Sequence, residues 1–553
     1  MMNRFTTLKK VNPKILVAIV IVALLVGLEL IFHRPFFGTA KDRIYELLHQ
    51  NNKASVTVKD DSEHIHSREF LKKYFDIFGY KQTWTDSTRE NDKYRDMLIG
   101  MLNHADSLGL DRKDYHQDYI TRYDSLSHRP NFDYMQYESE NELIFTDAAL
   151  SFLYNVAYGK EINTEFTGVH YNIDSTRILR LFNDLLTHRD WRRTLDSVEP
   201  RTKQYVILKN ELNRMSFFFK QVPEIDTMIF SSATANSAFA VQKLRVYGLI
   251  DEPLGRDSIT AANAHRAIKG FQRMMSIDTT GKWDDKTIAF LNFPLSKRVK
   301  QIKESLNYWR WAGRLKEPEF ILVNIPAARL QIVKNDSTKD ITMKVIVGKQ
   351  ATKTPSFTAY INKVIAYPYW TVPFSIATKE MLPKIRKRLA YLDENNLQVI
   401  NGKGEVVEPE TVGWDRFSEH YFPYTIRQST GCDNSLGVLK FELNSPFSIY
   451  LHDTNARGLF SKKDRFLSHG CIRLEKPMVL ANYILKEDLD TATVARLEAC
   501  MRDQKPSEFR LKKRVPVLIL YMTADVDENG NLKFYNDVYG VEEKKVEEKK
   551  VVS

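Results

Sequence analysis

The apolar positions of this 553-residue chain change their period along its length. Residues 15–32, ILVAIVIVALLVGLELIF, are apolar on every face and carry one charge, Glu29, near the far end. Roughly 20 such residues cross a hydrocarbon core, so the run predicts a slightly short transmembrane helix. From about 40 to 230 the spacing is that of amphipathic helices, as in YRDMLIGMLNHADSLGL and TDAALSFLYNVAYGK, and it predicts a mostly helical scaffold. Residues 235–295 compress into three short helices, with DTTGKWDD as the turn before the last. A basic, aromatic helix over 296–316 then connects to short alternating or fully apolar runs separated by turn residues. FILVNIPAARLQIV, ITMKVIVG, KVIAYPYW, VLKFELN and FSIYLHD predict a β-rich domain over 317–540. Mixed helix and loop interrupt it at about 377–422, an insertion of the size of a lid or cap. Residues 541–553 have nothing to bury and read as a disordered tail. The expected fold class is multidomain α+β.

Composition narrows the setting. With 43% hydrophobic residues the chain can bury several cores, and its length calls for three or more domains. The net charge of +11 invites a nucleic-acid partner, but no finger, basic-zipper or RNP pattern accompanies it, so none is expected. Part of the excess is local: Arg4, Lys9, Lys10 and Lys14 precede the apolar run. That flank, and the lack of a small-residue cleavage site, read as a signal anchor. It leaves residues 1–38 as a cytoplasmic stub and span, with the rest outside the inner (cytoplasmic) membrane. Three cysteines, Cys432, Cys471 and Cys500, do not make a disulfide framework in an exported chain of this size. Cys500 sits beside the helical stripe Val494, Leu497, Met501 and reads as a core or boundary thiol. His64 and His66, two apart with no third ligand in sight, read as exposed side chains, and no metal or cofactor motif is present.

One stretch carries chemistry. FLSHGCIRLEKP places His469, Gly470 and Cys471 side by side. A thiol attacks a carbonyl as the thiolate, so it needs a base or a positive field nearby. His469 can reach it if the loop turns at Gly470, and the N–H groups of Gly470 and Cys471 are candidate oxyanion donors. His452 ends the strand-like FSIYLH and lies a fifteen-residue spacer before Ser468, where it can line the same cleft. A papain-like order is excluded, because both histidines precede the cysteine.

These residues resemble a family. His452, the spacer and SHGC match the H-x(14–17)-[S/T]-H-G-C motif of the L,D-transpeptidases. YWTVPFSIATKE, TIRQSTGCDNSLGVLKFELNSPFSIYLHDT and VPVLILYMTADVDENGNLKFYNDVYG resemble its large membrane-anchored subgroup, which has a scaffold domain, a peptidoglycan-binding domain and a capped catalytic domain. Phe271, Gln272, Gly281, Asp284 and Thr287 are similar to the turn of that three-helix peptidoglycan-binding domain. The resemblance implies a β-sandwich-like catalytic fold, peptidoglycan stems and glycan as partners, and a periplasmic catalytic part. It implies Cys471 as nucleophile, His469 as base and Gly470 in the oxyanion hole. Tyr450, His452, Ser468, Arg473 and Asn434 would be supporting or substrate-binding residues. Arg473 would orient the loop or meet a stem carboxylate. Cys432 departs from the subgroup, whose corresponding loop reads Gly-Pro. Water in place of the acceptor amine would give an L,D-carboxypeptidase, and loss of chemistry a peptidoglycan-binding envelope protein.

Overall fold

The computed structural model describes residues 39–541, apart from 50–64, 67, 86–88, 131, 135–136, 163, 165, 172, 232–237, 251–260, 335–340, 489–496 and 500. The apolar run 15–32, His64, Cys500 and the charged tail beyond 541 lie outside the described residues. Among the described residues, no helix is long and apolar enough to cross a membrane.

The chain divides into two compact units. The first, 39–106, 110–157 and 174–198, is helical. Its longest helix, Glu138–Tyr158, buries Leu143, Phe145, Ala149, Phe152 and Val156, so its apolar residues surround the axis. Helix Ser175–His188 instead buries one stripe, Ile178, Leu179, Phe182 and Leu185. Glu142 is fully buried, and its Oε1 accepts from the backbone N–H groups of Thr83 and Trp84, both at 2.7 Å. Burial lifts its carboxyl to about 8 in spite of those bonds.

The second unit holds 107–109, 158–173 and 199–541. Its strands are β1 (Phe166–Thr167), β2 (Glu319–Asn324), β3 (Arg329–Lys334), β4 (Thr342–Gly348), β5 (Phe357–Ala366), β6 (Trp370–Thr371), β7 (Leu397–Ile400), β8 (Val406–Val407), β9 (Thr425–Gln428), β10 (Leu439–Leu443), β11 (Leu451–His452), β12 (Phe466–Ser468), β13 (Ile472–Leu474), β14 (Ser507–Leu520), β15 (Ala524–Val526) and β16 (Leu532–Phe534). The principal sheet runs β5-β10-β11-β13-β4-β3-β2-β14, and β14 returns to pair with β5, so the path closes on itself. Ala366 therefore faces Leu439 on one side and Ser507 on the other. Strand alternation builds two cores from one sheet. Ile321, Val323, Val517 and Ile519 join an interior closed by Leu480, Ile484 and Leu485 of helix Pro477–Asp488. Phe320, Leu322, Leu518 and Leu520 face the other way, against helices Lys203–Gln221 and Leu295–Ala312.

Helix Leu295–Ala312, expected as a connector, is deeply embedded: Ile302, Leu306, Trp309 and Arg310 are buried. Three helices, Ala238–Val246, Ala261–Met274 and Asp285–Leu291, occupy the segment read as a three-helix unit, but their apolar side chains merge into the same core as this helix. Buried Gln272 ties their turn. Its Nε2 contacts Thr280 Oγ1 at 2.8 Å, Thr287 Oγ1 at 2.9 Å and Lys282 O at 3.0 Å, and its Oε1 accepts from Gly281 N–H at 2.7 Å. Gly281 has φ +72, and a Cβ there would strike the His265 ring.

The insertion differs from the mixed helix and loop expected over about 377–422. It is a folded subunit from β6 to β9, with its own sheet in the order β6-β9-β7-β8 and a core of Leu382, Ile385, Val399, Trp414, Phe417 and Ile426. Its strands are only two to four residues long and lie between proline-, asparagine- and glycine-containing turns, so period two has no length in which to show.

Glu142 yields a linkage test. The folded carboxyl holds its proton to about 8 against an ordinary 4.5, so across that window the native state binds more protons than the unfolded chain. Stability of the helical unit should therefore fall as pH rises through this window. Glu142→Gln should flatten that slope in urea melts followed by amide exchange over the helix Glu138–Tyr158. An unchanged slope would contradict the assignment.

Candidate active site

The HGC turn is held by the strands that flank it. β11 and β13 run parallel, with His452 opposite Arg473, and β12 lies beside β4 with Ser468 opposite Gly348. Gly470 has φ +116, a conformation that favours glycine, which lets the chain reverse between β12 and β13. Ser468 is buried and clamps the reversal: its Oγ donates to Cys471 O at 2.6 Å and accepts from Gly470 N–H at 3.2 Å. Thr354 Oγ1 donates to Gly470 O at 2.7 Å and accepts from Gly348 N–H at 2.9 Å. Tyr539 OH then donates to Gly348 O at 2.5 Å. Thr354 and Tyr539 are not singled out in the sequence; the carboxy-terminal NDVYG is a signal for Tyr539 alone, and Thr354 has none.

The Gly470 N–H, expected to face an oxyanion, is thus taken by Ser468 within the turn. Asn434, expected as a supporting or substrate-binding residue, sits beside Ser435 and Leu436, which line the same cavity as Cys471. It is fully buried, donates to Ser429 O at 2.8 Å and Pro368 O at 3.2 Å, and accepts from Leu436 N–H at 2.7 Å. It shapes the STGCDNSLG loop and does not line the cleft. Cys432, on the same loop, is free and exposed.

Cys471, His469, Tyr450, His452, Ser468 and Arg473 line one cavity of about 920 Å³. Its opposite wall comes from the insertion, with Ile376, Glu380, Met381 and Lys384. Glu380 lies on a single π-helical turn, Ala377–Met381, and its Oε1 is 2.5 Å from His469 Nε2. No hydrogen bond joins His469 to Cys471 among the described residues. The thiol is aimed at Ser448 O, 3.5 Å away. With Glu380 ionised, Nε2 carries the ring proton and Nδ1 is left as the basic atom.

Electrostatics set the thiol against its surroundings. Burial pushes Cys471 up, while the Tyr450 backbone and hydroxyl, Lys440 and Arg473 pull it down. Lys440 and Arg473 are themselves lowered by burial, a cost that Glu442 offsets for Lys440 and that a Cys471 thiolate would offset for both. Lys440 Nζ sits 4.3 Å from the centre of the Tyr450 ring. Arg473 Nε is buried with no hydrogen-bond partner among the described residues, at the wall of the cavity. His452 is lowered to about 3 by burial and by Arg473, so it is neutral at physiological pH and is no proton carrier there. These directions predict the reactivity of the thiol. Alkylation of Cys471 by iodoacetamide should accelerate with pH, with a midpoint above the ordinary thiol value of about 8.5. Arg473→Met removes a lowering charge and should move that midpoint further up; a downward move would contradict the field described.

The strands that carry this cavity lie within a segment that matches a known family. Residues 318–501 match the family described as the L,D-transpeptidase catalytic domain (YkuD), and residues 69–212 match the family described as the scaffold domain. A curated protein of Haemophilus influenzae, named "Putative L,D-transpeptidase", is 37% identical over 226 residues, which are 40% of this chain and 45% of that protein. The match thus spans less than half the length of that relative. Among solved structures, an L,D-transpeptidase from Mycobacterium smegmatis aligns with 37% of this chain and 58% of its own at 12% identity and a TM-score of 0.17. One from Stackebrandtia nassauensis aligns with 50% and 87% at 13% identity and a TM-score of 0.19. The sequence matches carry the assignment: this chain contains an L,D-transpeptidase catalytic domain, preceded by the scaffold domain.

Proposed function

We propose that the chain is a peptidoglycan L,D-transpeptidase with Cys471 as its nucleophile. The observation that carries this reading is the shared cavity, in which a thiol, an imidazole and a guanidinium with an unpartnered Nε face a folded cap. The thiolate attacks the carbonyl of the third residue of a tetrapeptide stem. A C–S bond forms, the C–N bond to the terminal D-alanine breaks, and the leaving amine receives the proton that His469 took from the thiol. The resulting thioester is attacked by the side-chain amine of another stem, whose proton passes to His469, and the thiolate is released. The product is a cross-link between third residues.

Each group has a place in that sequence. Glu380 orients the His469 ring through Nε2, so that Nδ1 serves as base toward the thiol side. Arg473 offers a buried, unsatisfied donor suited to a stem carboxylate, and Lys440 with Arg473 favours the thiolate. Desolvation raises the thiol, so it stays protonated until substrate and base are in place. The run 15–32 would anchor the enzyme in the inner membrane, and the helices of 235–295 would hold the glycan near the cavity.

Incubation of the full chain with disaccharide-tetrapeptide, followed by mass spectrometry, tests the reading. A dimer lacking one D-alanine, absent with Cys471→Ala, is the expected product. Tripeptide alone would make the enzyme an L,D-carboxypeptidase, and no turnover would leave a binding protein. His469→Ala should lower the rate by roughly 10²–10⁴-fold. Glu380→Gln should lower kcat by roughly tenfold with little change in KM, and should displace the pH profile, since it acts through the imidazole. An unchanged profile would remove Glu380 from the machinery.

A further inference from the structure

The scaffold unit holds a cluster with no part in the reaction above. Asp147, on helix Glu138–Tyr158, directs Oδ2 at His66 Nδ1, 2.6 Å away, and at His116 Nε2, 2.8 Å away. The His66 backbone N–H reaches the same oxygen at 3.0 Å. Asp147 and His116 side chains are each 2% exposed, whereas that of His66 is 38% exposed. His116 adopts a left-handed backbone, φ +54, between the turn Arg112–Tyr115 and helix Gln117–Ser127. That conformation is uncommon for a residue with a side chain. The two rings meet edge to face with centroids 4.9 Å apart.

We propose that His66, His116 and Asp147 form a binding site for a divalent transition-metal ion of the zinc class. Two imidazole nitrogens and a carboxylate oxygen, all within 4.8 Å of one another, are a three-ligand donor set for zinc. Three contacts converge on Asp147 Oδ2, so one carboxylate oxygen already gathers both imidazoles around it. Tetrahedral bonds of roughly 2.0–2.2 Å would set the donor atoms some 3.3 Å apart, so an ion would part the two imidazole–carboxylate contacts by less than about 1 Å. The exposed edge of His66 supplies a way in and room for a water as fourth ligand. Hard ions such as magnesium and calcium prefer all-oxygen shells and are poor occupants. The three ligands come from segments far apart in sequence, so the ion would pin the entry to the scaffold helices against its longest helix.

The test uses the full chain carrying Cys471→Ala, so that the active-site thiol does not compete. After chelation and desalting it is loaded with zinc sulfate, and retained zinc is counted by plasma mass spectrometry. The expected result is about one zinc ion per chain at this three-ligand site, with a raised unfolding temperature. Retention should be lost in His66→Ala and in Asp147→Asn, and undiminished by excess magnesium. His66 is partly exposed, so its variant stays informative if Asp147→Asn fails to fold. No retained zinc in the parent chain, or equal retention in His66→Ala, would overturn the proposal.

Discussion

The second unit depends on one pair of strands being apolar on both faces. β2 and β14 lie in parallel register, Val517 to Ile321 and Ile519 to Val323, and every side chain there has a core to enter. The inward set fills the closed sheet; the outward set seats helices Lys203–Gln221 and Leu295–Ala312. A charge at Leu322 or Leu518 would therefore be buried among side chains with nothing to pair it. The closed sheet in turn fixes β11, β12 and β13, whose ends carry His452, Ser468 and Arg473. The placement of the thiol is thus a consequence of how the whole sheet closes.

On that frame the site is a balance between desolvation and positive charge. Burial alone would leave Cys471 an inert thiol, and Lys440 and Arg473 are held near it although burial disfavours them too. A developing thiolate would relieve both cations. The insertion contributes more than cover. Its π-helical turn brings Glu380 to the His469 imidazole.

How far this was legible depends on distance along the chain. His469, Gly470 and Cys471 sit in one local motif whose chemistry needs those residue types together, so they could be named before any fold, and Arg473 through the resemblance. The strand FILVN showed because a continuous apolar run of that length between turn residues reads as a strand buried on both faces. Glu380 was not legible, because it meets His469 across 89 residues from within a segment lacking regular period. Thr354 and Tyr539 support the turn from equally far away. Asn434 carries a motif position yet serves its own loop, and the Gly470 N–H is spent on Ser468. In the scaffold, His66 looked solitary because its partners, His116 and Asp147, are brought to it only by helix packing.

The central claim is that Cys471 carries the acyl group between stems. Its most direct test is the intact mass of the full chain quenched in acid within seconds of mixing with disaccharide-tetrapeptide. The account predicts a transient adduct of the stem minus D-alanine, mapped to Cys471 and labile to hydroxylamine. Release of D-alanine with no adduct, or an adduct at Cys432, would contradict it.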